Sequence, residues 1–422
     1  MGLGLTKFDS LPKQKSLNPI PLIKKTMFTS ATTTTFKSFT FTILKLKCPK
    51  HPFFLTTTAT TTTSMAAPPS TTVSLRAISA HSSVDTSPST QEARPAIISQ
   101  QEWQAWGTQS PFPTQVAEIV DEMMVSERES DAQMKFGGLG GKLKGDFRTQ
   151  EDKKHRAKYR ALDDSEQKLH FFSARQIACR LLGSRGYLCQ KCWLPLEDCM
   201  CSRVVPCSLW HRIRFWLYMH PKDFLRQNNT GKLLWQVFGI DAATLCIFGI
   251  EEHEEIMWKA FMHSETMFGA FIQNKNAPTK SVEESFVGYM SSESHQIDSG
   301  ETMNFILIDG TWSNSAAMFR RLKERADLTW GDDLPCISLT TGASPMHKLR
   351  PQPSWDRTCT AAAAVGLLDE LHDVSQFSSL RLDKQAEAVE NSVDVLLASL
   401  TARRLRMGRS ISRAQRHHND IC

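Results

Sequence analysis

Hydrophobic positions along the chain change their spacing several times, and each change marks an expected element of secondary structure. Between residues 116 and 124, apolar side chains recur at helical spacing, which predicts an amphipathic helix that needs a partner surface. Further along, short apolar runs predict four strands, at residues 213–219, 245–250, 304–308 and 336–339. Helical patterns lie at residues 231–238, 313–325 and 358–371.

This alternation of short apolar strands with helices predicts a mostly parallel α/β sheet that is covered on both faces. Residues 270–300 are polar and rich in serine, so we expect a surface insertion there. The folded domain is expected to span residues 165–400. An apolar fraction of 41% is enough for a hydrophobic core, and the sequence contains no run of about 18 apolar residues that would predict a membrane span.

Residues 1–92 have the composition of a leader segment. The segment is dense in threonine and serine and carries scattered lysines, and Asp9 is its only acid before Asp85. Such a composition is typical of a transit peptide that directs a protein to a chloroplast or a mitochondrion. A low-complexity tail without an address is the alternative, which leaves the cytoplasm and the nucleus open. Met65 offers a later start.

Two basic segments flank the expected domain. Residues 93–164 are predicted to form a helical, basic arm with a flexible joint at the glycine-rich residues 136–141. A phosphate-binding loop is disfavoured at the joint, because the pattern indicates no preceding strand and no Gly-Lys-Ser/Thr follows. The net charge of +6 is mild, but cations are concentrated in residues 142–160 and in the tail, residues 401–422. Each segment is either a solvated face or an arm for RNA phosphates.

Four of the eleven cysteines lie within thirteen residues, at Cys189, Cys192, Cys199 and Cys201. Such bunching favours a metal clip in a reducing compartment over a disulfide framework. Four thiolates are the preferred tetrahedral ligands of zinc, and four protein ligands leave no open position, so a structural ion is expected. A reactive thiol pair is the alternative. Cys207 lies past the second pair and is not counted as a ligand.

Three polar segments follow predicted strands, where open α/β sheets bind their ligands. The first covers residues 220–231 and ends in Asn229, Thr230 and Gly231. The second is Asp309-Gly-Thr-Trp312, which combines a carboxylate, a glycine for close backbone approach and a tryptophan. The third covers residues 340–351. Together they predict a pocket for a charged, partly apolar ligand, although a tryptophan such as Trp312, taken alone, is more often a core residue than a site residue.

These motifs, in this order, resemble the DTW-domain family of tRNA-uridine aminocarboxypropyltransferases. The resemblance rests on the Cys-x-x-Cys and Cys-x-Cys clip, the His-Pro to Asn-Thr-Gly segment, Asp-Gly-Thr-Trp and Leu-Arg-Pro, and it covers about residues 174–371. It implies a knotted SPOUT-like α/β fold that binds S-adenosylmethionine. This chain departs from the family pattern at residues 358–361, which carry no acid, and at Asp223, which stands one position aside from an expected acid.

The resemblance also implies a reaction and a set of residues. The 3-amino-3-carboxypropyl group would pass from S-adenosylmethionine to N3 of a tRNA uridine, with release of methylthioadenosine. Asp309 is expected to be either the base or the anchor of the ammonium group, Arg350 would pair with the methionyl carboxylate, and Trp312 would stack on a base. The expected site residues are Asp309, Thr311 and Trp312 for catalysis, Asp309, Gly310, Thr311, Leu349 and Arg350 for the cofactor, and Arg226, Asn229, Thr230 and Gly231 for the substrate.

Three alternatives stay open at this point. A non-catalytic RNA-binding module would bind tRNA without S-adenosylmethionine. A SPOUT-type RNA methyltransferase would share the fold and transfer the methyl group instead. A zinc-stabilised scaffold for protein partners would do neither. The sequence does not indicate which uridine is modified, in which tRNAs, or the oligomeric state.

Overall fold

A computed structural model describes residues 98–137, 142–262, 267–271, 281–284, 302–331, 333–339 and 358–409. The chain divides into two units, Met1–Thr72 and Val73–Cys422, and all described residues belong to the second. The leader expected over residues 1–92 and the end of the basic tail, beyond residue 409, lie outside the described residues. The transit peptide therefore stays a prediction.

The N-terminal part of the described chain is mainly helical. It begins with α1 (Gln100–Ala105) and α2 (Thr114–Glu129), followed by an antiparallel hairpin of β1 (Lys135–Gly137) and β2 (Lys142–Lys144). Helices α3 (Gly145–Ala161) and α4 (Ser165–Ser184) come next. The glycine-rich segment thus begins within a short strand, which the sequence pattern did not indicate, and residues 138–141 of the segment lie outside the described residues.

A four-stranded parallel sheet forms the centre of the fold. Its strands are β3 (Ile213–Met219), β4 (Ala243–Ile247), β5 (Met267–Phe271) and β6 (Met303–Asp309), in the order β4-β3-β6-β5. In the register, Met219 lies opposite both Ile247 and Asp309. The carboxyl ends of the three adjacent strands therefore meet at one edge, where the polar loops were expected to converge.

Helices cover both faces of the sheet. They are α5 (Lys232–Phe238), α6 (Glu251–Met262), α7 (Trp312–Trp330), α8 (Thr360–Asp373) and α9 (Leu382–Arg406). Side chains alternate along β3, because Phe215, Leu217 and Met219 belong to one hydrophobic cluster and Trp216 and Tyr218 to another. The first cluster includes residues of α2, α4, α5, α8 and α9, and the second includes residues of α6 and α7. The predicted double-sided α/β arrangement is confirmed.

The helix predicted around residues 116–124 is confirmed as α2, and its partner surface is α4. Other parts of the expected basic arm also pack onto the sheet region. Trp103 and Trp106 are buried, and the backbone of Gly107 accepts a hydrogen bond from Leu245 of β4 at 2.9 Å. Phe147 of α3 lies in the same hydrophobic cluster. Residues 98–137 and 142–161 therefore contribute to the same core as the sheet.

One predicted strand does not extend over its expected length. Of residues 336–339, only Ile337 takes part in a β-bridge, and Cys336 and Ile337 are buried. Their short apolar run reflects packing in an extended connection, which hydrophobicity alone does not distinguish from a strand. The fourth strand is β5, which begins before the expected insertion at 270–300 and extends into it. Its pairing shifts register between Phe268 and Phe271, and Gly269 interrupts its apolar pattern, so it gives a weak strand signal.

The knot implied by the resemblance stays a prediction, since residues 340–357 lie outside the described part of the chain. Over the parts that the structure does describe, none of the helices combines the length and the hydropathy needed to span a bilayer.

Candidate active site and metal centre

The loop after β3 is built from three consecutive turns. Backbone N–H groups donate from Asp223 to His220 at 2.8 Å, from Arg226 to Asp223 at 3.2 Å and from Asn229 to Arg226 at 3.0 Å. Leu225 takes a positive φ of 55°, a backbone conformation that is uncommon for a residue other than glycine. The turns fold the loop back on itself, so that its last residues lie beside the end of β6.

Asn229 and Asp309 form the centre of the site. The amide nitrogen of Asn229 lies 3.0 Å and 2.9 Å from the two carboxylate oxygens of Asp309. The amide oxygen of Asn229 accepts the backbone N–H of Lys232 at 3.1 Å, which caps the first turn of α5. Because one end of the amide faces an acceptor and the other a donor, the hydrogen bonds determine its orientation. Both residues are buried, so the carboxylate is held at a defined position.

Gly231 allows this close approach. A Cβ atom at this position would lie 2.2 Å from Oδ2 of Asp309, a separation that requires the carboxylate to move. The neighbouring Thr230 joins the loop to α8, because its hydroxyl accepts the backbone N–H of Ala361 at 3.4 Å. Cys359, at the N-cap position of α8, forms no capping bond with its own side chain, so Thr230 supplies the cap from outside the helix. The Asn-Thr-Gly segment thus connects β6, α5 and α8.

Residues 310–312 lead directly from β6 into α7. A Cβ on Gly310 would lie 3.2 Å from the sulfur of Met318, so this position is tight. Thr311 is the N-cap of α7, but its hydroxyl bonds to that of Ser313 at 3.0 Å rather than to the helix backbone. Trp312 is half-buried and belongs to neither set of buried core residues. Its position fits a pocket wall better than a core residue.

His220 also belongs to the site, although its sequence motif did not indicate a role for its side chain. Its backbone N–H donates to the carbonyl of Asp309 at 2.8 Å, and its ring stacks on Phe248. Burial lowers the pKa of His220 to about 4. Its Nδ1 accepts the backbone N–H of Lys222 at 3.2 Å, so in the neutral ring Nε2 carries the proton. His220 is therefore a hydrogen-bond donor at neutral pH.

Lys232 was not anticipated. Its side chain is fully buried and donates to the carbonyl of Gln227 at 2.6 Å, and its Nζ lies 5.8 Å from the ring centre of Trp193. Burial lowers the pKa of Lys232 to about 7, and the nearby thiols of the cysteine cluster, followed by Asp309, act in the opposite direction. Lys232 therefore lies between Asp309 and the cysteine cluster. The sequence signal that could have indicated its burial is a lysine at the start of an otherwise largely apolar helix (KLLWQVF).

The remaining predicted residues do not all join this site. Leu349 and Arg350 lie outside the described residues, together with the third polar segment. Arg226 is half-buried and forms an ion pair with Asp223. Its side chain lines a cleft between the loop, β2, α3 and α4.

The four predicted cysteines come together in space. Their sulfur atoms all lie within 4.8 Å of one another, and three of the separations are 3.5, 3.7 and 3.8 Å. A tetrahedral zinc ion with Zn–S bonds of about 2.3 Å gives sulfur separations of about 3.8 Å. The cluster can therefore hold a metal ion and is compatible with structural zinc. Cys207 is not a member of this group among the described residues.

Electrostatics within the cluster also favour a cation. Hydrogen bonds from Cys192 and Cys201 stabilise the thiolate of Cys189 and lower its pKa. The same contacts with Cys189 raise the pKa of Cys192 and of Cys201. Without a positive ion, four sulfurs at this spacing do not all ionise, because like charges repel. A bound divalent ion removes that restriction.

The C-terminal helix holds the cluster in place. Arg403 of α9 donates to Asp198 at 2.5 Å and to the hydroxyl of Tyr187 at 2.9 Å. Arg406 bonds to Asp198 at 2.7 Å and to Glu197 at 3.3 Å. Two cations of the expected basic tail therefore neutralise acids of the loop that carries the cysteines.

These features define the class of the protein. It is a mixed α/β domain with a parallel sheet, convergent polar loops and a four-cysteine cluster. The family model of the DTW domain matches residues 186–404, which is 219 of the 422 residues and includes both the cluster and the Asp309 loop. The chain therefore belongs to the DTW-domain family, as the sequence motifs indicated. No solved structure matches it. Membership of this family is consistent with a role in tRNA modification.

Proposed function

We propose that this protein transfers the 3-amino-3-carboxypropyl group of S-adenosylmethionine to N3 of a uridine in tRNA. The observation that carries the proposal is the buried carboxylate of Asp309, held by Asn229 at the end of β6, in the motif that gives the family its name. The edge of a parallel sheet is where such folds bind nucleotide-like ligands. The proposal also assigns structural zinc to the cysteine cluster, where it stabilises the fold away from the chemistry.

Asp309 acts as an anchor for the ammonium group of the co-substrate. The amide of Asn229 donates toward both of its carboxylate oxygens, and such donors stabilise the charged form of a carboxylate. A carboxylate stabilised in this way is a weak proton acceptor and a good partner for a cation. The arrangement therefore favours the anchoring role of Asp309 over the role of base.

The reaction balances without a redox partner. A bond forms between uracil N3 and the terminal carbon of the aminocarboxypropyl arm, and the bond between that carbon and sulfur breaks. The sulfur keeps the electron pair and leaves as methylthioadenosine, and the N3 proton is released to water. The protein supplies position, because transfer requires this carbon, rather than the methyl group, to face N3 in a near-attack geometry.

The other residues bind and orient the two substrates. Trp312 offers a partly exposed ring for stacking on adenine or on an unpaired uracil. Arg350 pairs with the methionyl carboxylate through its guanidinium fork. The family resemblance also assigns Gly310, Thr311 and Leu349 to the co-substrate, and Leu349 and Arg350 lie outside the described residues. His220 positions Asp309 through its backbone N–H.

Labelled co-substrate tests the proposal. The purified protein is incubated with unmodified tRNA and S-adenosylmethionine labelled either in the carboxyl carbon of the arm or in the methyl group. Arm label in the tRNA, with the mass gain of an aminocarboxypropyl group, is the expected result. Methyl label in the tRNA would instead identify a methyltransferase. If the protein binds RNA but neither binds the co-substrate nor transfers a group from it, the protein is a non-catalytic module.

A matched pair of variants connects the activity to the site. Asp309→Asn removes the anchoring charge and is expected to abolish transfer while the zinc content stays unchanged. Glu324→Gln makes the same change of carboxylate to amide at an exposed position of α7 and is expected to keep full activity. Full transfer by Asp309→Asn would remove Asp309 from the mechanism.

A further inference from the structure

A cavity lies beside the loop that holds Asp309. Its volume is about 500 Å³, and residues of β2, α3, α4 and the loop after β3 line it. Six of the ten lining residues are cations: Lys142, Arg148, Arg175, Arg180, Lys222 and Arg226. The sequence places these residues in three separate segments, so only the fold brings them together.

Positive charge is in excess in this cleft. Asp152 is the one acid among the lining residues, and it pairs with both Arg148 and Arg175. Asp223, behind the wall, pairs with Arg226. Two acids are therefore available to six cations. The carboxylate of Asp152 is shared between two guanidinium groups, so it neutralises only one of the two positive charges.

Two guanidinium groups in the cleft have donor atoms that no carboxylate accepts. Arg180 donates to the backbone carbonyl of Lys222 at 2.8 Å, which is a neutral acceptor. Burial and repulsion from Arg226 lower the pKa of Arg180, and Asp223 acts in the opposite direction. The Nε of Arg175 is buried and has no hydrogen-bond partner among the described residues. Buried donors without partners are uncommon, and a bound anion would satisfy them.

We infer that this cleft binds the phosphodiester backbone of the RNA substrate next to the modified uridine. The inference rests on the proposed function, since it assigns the cleft to the same RNA. Guanidinium groups bind phosphate oxygens in pairs, and lysines add charge without a fixed geometry. The six cations come from four elements that line a cavity of about 500 Å³, which is more charge than one small anion needs and suits several phosphates of one strand.

The loop after β3 connects the cleft to the active site. Lys222 and Arg226 line the cleft, whereas His220 and Asn229 of the same loop hold Asp309. Arg226 and Asn229 are three residues apart, so their Cα atoms lie within about 11 Å. This upper limit spans no more than a few nucleotides of an RNA strand. A strand with its uridine at Asp309 therefore places a neighbouring phosphate over the cleft, and this proximity favours RNA over an acidic protein partner.

Salt-dependent binding tests the inference on the full-length protein. Affinity for an unmodified tRNA transcript is measured by fluorescence anisotropy over a series of salt concentrations. The cleft variant combines Lys142→Gln and Lys222→Gln, two exposed lysines that form no ion pair among the described residues, so the fold keeps its salt bridges. The control combines Lys153→Gln and Arg156→Gln, which remove the same charge from an exposed face of α3 outside the cleft.

The cleft variant is expected to bind tRNA several-fold more weakly at moderate salt. Each lost phosphate contact lowers the slope of log affinity against log salt by about 0.7 to 0.9, so the two substitutions together lower it by about 1.5. The control is expected to keep the slope of the unsubstituted protein. In transfer assays, the cleft variant raises KM for tRNA and keeps kcat, and binding of S-adenosylmethionine is unchanged in both.

The outcomes separate the two proposals. If the unsubstituted protein binds tRNA and the cleft variant shows the same slope, the cleft serves another ligand, such as an acidic protein surface. That result overturns the inference and leaves the proposed function standing. If the unsubstituted protein itself binds no tRNA, both the inference and the proposed function are overturned.

Discussion

Asn229→Asp tests the pairing at the centre of the candidate site. The substitution keeps the size of the side chain and an oxygen that can cap α5, since Asp and Asn are equally good at that position. It replaces the amide that donates toward Asp309 with a second buried carboxylate at about 3.0 Å. Asp309 and Asn229 are only 6% and 4% exposed, so water screens the new repulsion poorly.

Two estimates bound the unfolding free energy that Asn229→Asp loses. Two charges 3 Å apart at an effective dielectric constant of 20 repel by about 332/(20 × 3), or roughly 5.5 kcal/mol. Uptake of one proton at pH 7, by an aspartate with an unfolded pKa of about 3.9, costs about 1.36 × 3.1, or roughly 4 kcal/mol. Because proton uptake is cheaper, the variant is expected to bind one proton and lose about 4 kcal/mol of unfolding free energy. With about 2.1 cal/mol/K of unfolding entropy per residue over the roughly 310 residues of the folded body, that corresponds to a fall of about 6 °C in Tm.

The sign of the pH dependence follows from the bound proton. The folded variant holds a proton that the unfolded chain has released, so its stability relative to the unsubstituted protein falls as pH rises from 4 to 7. The deficit is expected to grow by about 1.4 kcal/mol per pH unit in this window. Scanning fluorimetry of both proteins at several pH values measures it.

Combining Asn229→Asp with Asp309→Asn provides the matched control. The exchange restores one amide and one carboxylate to the pair, so we expect stability to return to within about 1 kcal/mol. Transfer stays abolished, because the charge has moved from the end of β6 to the loop. If Asn229→Asp melts within about 2 °C of the unsubstituted protein at pH 7, or if its deficit is independent of pH, the two side chains are not paired as described.

Three other substitutions test separate features of the structure. Gly231→Ala is expected to displace the carboxylate of Asp309 and to lower kcat on the order of 10²-fold in transfer assays with zinc content intact; unchanged kcat would contradict the close contact. Cys199→Ser is expected to lose the bound metal in stoichiometry measurements while Cys207→Ser retains it, and equal metal content in both would remove the cluster as the metal site. Burial lowers the pKa of His253 to about 3. The neutral, buried His253 therefore contributes fully to the unfolding free energy above pH 6.5, and this contribution is lost as pH falls from 6.5 toward 3. His253→Asn keeps a hydrogen-bond acceptor without the titration, so its melting temperature should decline less steeply over this range, and parallel curves would refute the assignment.

Features encoded by neighbouring residues could be predicted from the sequence. The cysteine cluster follows from spacing over thirteen residues, and strand β3 follows from an apolar run that only Arg214 interrupts. Strand β5 was missed because Gly269 breaks its pattern and much of its stability comes from pairing with β6. Residues 336–339 were predicted as a strand because burial in an extended connection leaves the same apolar signature.

The contacts that organise the site could not be predicted, since they join distant segments. Asn229 and Asp309 lie 80 positions apart, and no pattern in either segment indicates that they bond to each other. The burial of Lys232 depends on Trp193 and on the cysteine cluster packing over it. The cationic cleft combines β2, α3, α4 and the loop after β3. Of the predicted basic arm, only residues between 142 and 152 contribute to it.

The pairing of Arg403 with Asp198 has a consequence for how the protein is made. The two residues are 205 positions apart. At about 5–20 residues per second, a ribosome needs roughly 10–40 s to reach the arginine after it has added the aspartate. The four cysteines emerge within a few seconds of one another, so a cluster that can hold a metal ion can form long before the domain is closed. A product cut short before residue 403 would lack the arginine that pairs with Asp198. Metal content alone does not report that folding is complete.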